Sequence, residues 1–248
     1  MNRFRAAGTH LGISAVIAAL IVGLMLRFWY PPPYFDAMGG EVLILLLAGC
    51  DVVIGPLITL IIFKPKKRGL KMDLTIIGLV QVAALAYGSH TMFIARPVFT
   101  VFAVDRFDVV PANEIRAADL AEGKQPEFRA LSLTGPVLAG IALPSEPVAR
   151  QEITMGGYKY GKDIAARPEL YLPYEQTAAE AARKAKPITM LARRNEEAAT
   201  RIRELERSAG KREEQLAYLP LSARNQDMSV VIDAANGQIV GILPIVPW

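Results

Sequence analysis

Asp51 stands nine residues after Val42 in an apolar run that continues to Phe63. A carboxylate there is expensive, because Asp at the centre of a bilayer-spanning helix costs roughly 2.5 to 3.5 kcal/mol. It is therefore expected to be neutralised, hydrogen-bonded or turned toward a bundle interior. If the run Leu74 to Ala95 packs antiparallel to this one, Gln81 and Tyr87 come within about a helical turn of its depth. The spacing predicts that Asp51 bonds one of those two side chains. Pro56 removes a backbone donor and crowds the carbonyl of Val52, so a bend is expected beside Asp51. Gly49 and Gly55 leave notches where another helix can approach closely. Asp51, Gly55, Pro56, Gln81 and Tyr87 are thus the candidate partner-binding residues. Two readings stay open here, a polar clamp that fixes two helices and a grip on a partner helix. A proton or ion path fits less well, since three spans with one acid make a thin conduit.

Other chemistry is poorly supplied. The two histidines, His10 and His90, lie near the ends of apolar runs, and none follows Arg96. No Ser/His/Asp set, zinc-binding His-Glu motif, phosphate-cradling glycine loop or dinucleotide fingerprint is present. Cys50 is the only cysteine, so no disulfide framework or cysteine zinc site is expected. The reading is a non-enzyme with no catalytic residues, no cofactor and no metal.

These residues need elements to hold them. The chain has 248 residues, and its apolar content concentrates in Thr9 to Leu26, Val42 to Phe63 and Leu74 to Ala95. About 20 apolar residues cross a bilayer core, so three transmembrane helices are predicted, over roughly 9–29, 41–63 and 73–95. Residues 1–96 form the membrane domain, where nine cations against four acids leave +5; residues 97–248 carry 19 against 20, or −1. The basic excess flanks the spans, which points to topology and anionic lipid rather than nucleic acid. Arg3 and Arg5 precede the first span, and Lys64, Lys66, Lys67, Arg68 and Lys71 join the second to the third. The positive-inside rule puts both segments in the cytoplasm and the Pro31 to Gly40 loop on the far side with the C-terminal domain. Arg27, Phe28, Trp29, Tyr30 and Pro31 follow the first apolar core where a cleavage signal would have small residues, so an uncleaved anchor is expected.

The rest predicts an α+β domain with a mainly antiparallel sheet and a helical segment. Alternation over Phe99 to Val104 is strand-like, with a return through Phe107 to Val110 or a bulged continuation. A short helix is expected from Pro111 to about Leu120. Residues 121–172, rich in Gly and Pro, read as short strands, turns and one short helix. Tyr158, Tyr160, Tyr171 and Tyr174 suit either aromatic packing or a partner surface. Residues 175–217 read as helical, divided by Pro187 into about Tyr174 to Ala185 and Ile188 to Ser208, with a solvated charged middle. Asn236-Gly237 marks a hairpin between Met228 to Ile232 and Gln238 to Leu243. The Trp248 tail suits the domain surface or a membrane face.

Taken in order, Asp51 to Phe63, the basic loop, Asp73-Leu74, Gln81 to Gly88, Ala95 to Val98, Asp105-Arg106-Phe107, Arg167-Pro168-Glu169, Pro173-Tyr174-Glu175, Leu219-Pro220-Leu221 and Pro247-Trp248 resemble the TfpX/TfpZ family of type IV pilin accessory proteins. The resemblance implies a multi-pass bacterial inner-membrane protein with a periplasmic domain. It further implies a chaperone-like role in type IV pilin stability and pilus assembly, with the major pilin subunit and other pilus assembly proteins as partners beside membrane lipid. A membrane-anchored sensor or regulator with a periplasmic ligand-binding domain has the same layout and is the alternative.

Overall fold

The computed structural model describes residues 2–65, 67–141, 143–148, 150, 151, 153, 155 and 163–248; the predicted tyrosine positions Tyr158 and Tyr160, and Lys66 of the basic loop, lie outside the described residues. The chain divides into two compact units, Met1–Pro31 with Gly39–Arg96, and Pro32–Met38 with Pro97–Trp248.

The first unit holds three helices, α1 (Arg3–Trp29), α2 (Gly40–Ile62) and α3 (Leu70–Ile94), of 27, 23 and 25 residues. At 1.5 Å per residue each is roughly 35 to 40 Å long, enough to cross a bilayer core. The helix α1 begins earlier than expected because the Asn2 side chain caps it, accepting from the Arg5 N–H at 2.9 Å. The helix α3 starts from Gly69, whose φ of 87° suits a residue without Cβ. Both α1 and α3 pack on α2, whereas α1 and α3 scarcely meet along their length. Their contact is made at one end, where the Tyr30 hydroxyl donates to the Met92 carbonyl at 2.8 Å and the rings of Trp29 and Phe93 meet edge to face at 5.1 Å.

Among the described residues the second unit is built on eight strands: β1 (Pro97–Ala103), β2 (Arg106–Pro111), β3 (Val137–Ile141), β4 (Tyr171–Pro173), β5 (Lys186–Pro187), β6 (Leu216–Ser222), β7 (Met228–Asp233) and β8 (Ile239–Leu243). They form one sheet in the order β4-β3-β1-β2-β6-β7-β8, with β5 also on β6. The sheet is mixed rather than simply antiparallel. The pairs β1 with β3 and β2 with β6 are parallel, and the others are antiparallel. Each parallel pair is separated in sequence by a long connection, as a parallel return requires.

The strand β1 is buried at all seven positions, although its sequence alternates as a half-exposed strand would. Side chains pack on both of its faces. Phe99, Val101 and Ala103 enter a core with Phe128, Ala139 and Tyr171, while Phe102 packs on Phe107 at 5.4 Å and on Tyr174 at 6.4 Å. Tyr171 and Tyr174 are therefore core residues: the Tyr171 hydroxyl donates to the Ala165 carbonyl and that of Tyr174 to the Gly237 carbonyl at 2.6 Å. Residues 97–111 make a hairpin, not a bulged strand, turning at Val104 with φ 63°.

The helical segment is more broken than its composition predicts. A 3-10 turn (Tyr174–Gln176) leads into a helix (Ala178–Lys184), and the expected second helix is split into Thr189–Ala192 and Glu196–Ala209. Asn195 makes the split by capping the longer piece, accepting from the Ala198 N–H at 2.7 Å. The predicted helix from Pro111 is likewise a 3-10 turn (Ala112–Glu114) and a separate helix (Ala117–Ala121). The strand β6 was not expected at all. Its Pro220 falls between the residues that pair with β5, Ala217 and Tyr218, and those that pair with β2, Leu221 and Ser222. One side of the strand is unpaired there, which is where a residue without an N–H is tolerated.

Residues 32–38 belong to this unit although they connect α1 to α2. The Ala37 carbonyl accepts the N–H groups of Asn225 at 2.9 Å and Gln226 at 3.2 Å, the Asp36 carbonyl accepts Asn225 Nδ2 at 3.2 Å, and the Thr100 hydroxyl donates to Tyr34 Oη at 3.0 Å. The C-terminal tail also packs on the domain. Arg194 donates to the carbonyls of Val246 and Pro247, each at 3.0 Å, and to that of Trp248, while Trp248 Nε1 donates to Asp227 Oδ2 at 2.7 Å. Arg194 is thus a tail clamp within the stretch expected to be a plain solvated face.

Candidate functional site: a cleft over Asp51

The middle of α2 is not regular α-helix. Over Gly49–Ile54 the turn widens to a π-helix, and the Gly55 N–H donates to the Cys50 carbonyl, five residues back. In an α-helix that N–H would serve the carbonyl of Asp51. In the widened register the next donor for Asp51 would be residue 56, which is proline and has none. The Asp51 carbonyl is left without a helical partner by these two features together. Gln81 of α3 fills the vacancy, its Nε2 donating to the Asp51 carbonyl at 3.1 Å.

Gly55 makes that contact possible. A Cβ at this position would lie 2.0 Å from Gln81 Nε2, so any other residue would push the amide away. Pro56 is buried beside it. The expected bend is realised as a widened turn that precedes the proline, and the notch at Gly55 is filled by α3. Nothing lies within 4 Å of a Cβ placed at Gly49, so that notch is open.

Asp51 itself is 6% exposed. Neither oxygen of its carboxylate has a hydrogen-bond partner among the described residues. Of the two expected partners, Gln81 bonds Asp51, through the backbone carbonyl at 3.1 Å, and Tyr87 does not take part. Tyr87 is 75% exposed. Its depth along α3 is suitable, but six residues at 100° each carry it away from the face that bears Gln81.

Asp51 is among the residues that line a cleft of about 170 Å³ in the three-helix unit. The helix α1 supplies His10, Ile13, Ser14, Ile17 and Ala18, and α3 supplies Gly78, Gln81, Val82 and Leu85. The α3 residues recur at three- and four-residue spacing, the mark of a single helix face. Ile13, Ile17 and Val82 are more than a third exposed, so the rim is open, and Ser14 is buried. His10 Nδ1 is 2.7 Å from Thr59 Oγ1, which ties α1 to the far half of α2. The role of α1 in the site was not foreseen. Its signal was the spacing of His10, Ser14 and Ala18, two polar residues and a small one on one face of an apolar helix.

The second unit has its own depression of about 180 Å³, lined in part by Asp108, Glu114, Asp163 and Arg224. Asp108 is paired with Arg106 at 2.9 Å, yet its side chain is only 15% exposed and its Oδ2 meets no donor among the described residues. Burial outweighs the guanidinium and raises its carboxyl to about 6. Burial also raises the carboxyl of Glu114, against the pull of Arg224.

The comparisons with known proteins agree with one another. A family model, Fimbrial assembly protein FimB, matches residues 1–39. The chain is 32% identical over 236 residues to the "Fimbrial assembly protein, serogroup I" of Dichelobacter nodosus, which covers 92% of this chain and 89% of the relative. The chain belongs to the fimbrial assembly protein family. The serogroup E1 fimbrial assembly protein of the same organism is also 32% identical, over 232 residues, with the same coverage. The protein of serogroups C1 and C2 is 38% identical over 119 residues, 47% of this chain and 90% of that relative. No solved structure matches. At 92% of the chain, the two longer alignments reach into both units.

Proposed function

We propose that this chain is a non-enzymatic accessory protein of type IV pilus assembly, of the TfpX/TfpZ kind, which holds the major pilin subunit in the bacterial inner membrane before polymerisation. The observation that carries the reading is the 32% identity to fimbrial assembly proteins along 92% of the chain. The helices α1, α2 and α3 span the bilayer, with the N-terminus and the Lys64 to Lys71 loop in the cytoplasm and Pro97–Trp248 in the periplasm. That orientation draws support from the charge bias and from the hydrogen bonds of Asp36 and Ala37 to Asn225 and Gln226, which keep the α1–α2 loop with the C-terminal domain.

The cleft between α1 and α3 is where the apolar helix of the pilin lies, with α2 as its floor. Three features favour this seat: the open rim at Ile13, Ile17 and Val82, the scant contact between α1 and α3, and a polar floor that a partner helix can satisfy. The exported domain engages the pilin head. Deleting the chain tests the role. Pilin level in the membrane and surface pili are expected to fall together and to return with the full chain. Normal piliation in the deletion strain would contradict it.

A further inference from the structure

We infer that Asp51 is the acceptor for an aliphatic ammonium group, a short methylene stem with a positive head, inserted into the cleft from a partner helix; this rests on the reading above only for the source of the ammonium. A buried ionised carboxylate without donors is a strongly unfavourable arrangement, relieved by protonation or by a donor or positive charge that reaches it. Here both oxygens of Asp51 are buried, neither has a hydrogen-bond partner within 3.5 Å among the described residues, and Asp51 lines a cleft with an open rim.

The walls select among cations. A hard metal ion takes a cage of several oxygens, but the lining offers few beyond Asp51, Gln81 and Ser14. A guanidinium presents five donors in a flat fork and would leave several of them against hydrocarbon. An ammonium has three donors, which the two Asp51 oxygens and Gln81 Oε1 can accept while Gln81 Nε2 stays on the Asp51 carbonyl. Ile13, Ile17, Val82 and Leu85 then flank the methylene stem, burying it while the charged head is paired. A four-carbon stem ending in an ammonium, as in butylammonium or a lysine side chain, is the simplest group with both parts.

The test uses the full chain in lipid nanodiscs, its unfolding followed by tryptophan fluorescence, with n-butylammonium chloride, n-butanol and sodium chloride as probes at equal concentration. Butylammonium is expected to raise the midpoint by several degrees beyond butanol and sodium, and Asp51→Asn is expected to remove that difference. An equal shift with sodium would make this an inorganic cation site, and an equal shift with butanol a merely apolar one; either result, or no shift, overturns the inference. If Asp51→Asn does not fold, the three probes on the unmodified chain decide alone. Two synthetic apolar helices then separate the sources, one with a central lysine and an acetylated N-terminus, the other with a free N-terminal amine and no lysine. Capture of the lysine helix by a photocrosslinker at Ile17 is expected, because a terminal amine at that depth would leave first-turn N–H groups unpaired in apolar surroundings. Capture of the free-amine helix assigns the ammonium to a chain terminus, and capture of neither overturns a partner-helix source. Failure with butylammonium leaves the pilus-assembly reading standing, and loss of that reading leaves a positive butylammonium result intact.

Discussion

Gln81 donates to the backbone carbonyl of Asp51 at 3.1 Å, at the one place in α2 where a widened turn and a proline together deprive a carbonyl of its helical donor. The contact joins α2 to α3 and sets Gln81 into the floor of the cleft.

Gly55→Ala tests how tightly that joint is built. The added methyl would sit 2.0 Å from Gln81 Nε2, so the amide must leave and the Asp51 carbonyl loses its donor. A loss of about 1 to 3 kcal/mol is expected, from overpacking and an unpaired buried acceptor. Gln81→Ala removes the one amide that both meets the added methyl and donates to Asp51, so the double variant is expected to cost less than the sum of the single ones. Thermal unfolding of the four proteins in detergent measures this, and strict additivity would mean the two residues do not share the joint.

Gly237 has φ 76°, and a Cβ on it would lie 1.9 Å from the Ala178 carbonyl oxygen, backbone that cannot step aside. Its own carbonyl accepts the Tyr174 hydroxyl. Gly237→Ala is expected to cost at least about 2 kcal/mol, more than the 1 to 2 kcal/mol of a left-handed residue alone. Tyr174→Phe, which removes only the hydroxyl, is expected to cost about 1 kcal/mol. Chemical denaturation of the two variants would show whether this order holds.

Asp108 gives the domain a pH response. Its folded-state carboxyl sits near 6, above the ordinary 3.8, so the folded chain binds a proton that the unfolded chain has released. Its contribution is fully present below about pH 4 and is lost as pH rises through about 6, by at most about 3 kcal/mol. Asp108→Asn is expected to flatten that part of the profile. Unfolding midpoints of the two proteins between pH 4 and 7 check this; parallel profiles would show that Asp108 titrates normally.

Arg194→Ala is expected to release the tail from its three carbonyl contacts and cost about 1 to 2 kcal/mol. Trp248 would then be held mainly by Asp227. Carboxypeptidase trimming followed by mass spectrometry should proceed faster in the variant; an unchanged rate would mean the clamp contributes little.

The three helices could be read because apolar length is a cumulative signal, and the last hairpin because Asn236-Gly237 fixes its turn locally. The strand β6 was hidden by Pro220 and by the charged helical run before it, since only its neighbours reveal where a missing N–H is harmless. At the site, Asp51, Gly55, Pro56 and Gln81 were recognisable as an unusual polar and small-residue set in apolar runs. Their connection was not, because an α-helical register does not anticipate that Asp51 loses its carbonyl partner. Depth along α3 suits Tyr87, but depth does not carry the direction of a side chain. His10 and Ser14 become site residues only when α1 is placed beside α2, which no local signal encodes.

The central claim is that a pilin helix lies over Asp51 between α1 and α3. In vivo photocrosslinking with probes at Ile17 and Val82 on the rim, and at Val80, which is 63% exposed on the other side of α3, tests it most directly. Pilin is expected in the adducts from Ile17 and Val82 and absent from those at Val80. Pilin captured equally at all three positions, or at none while the protein is present at its normal level, would contradict the account.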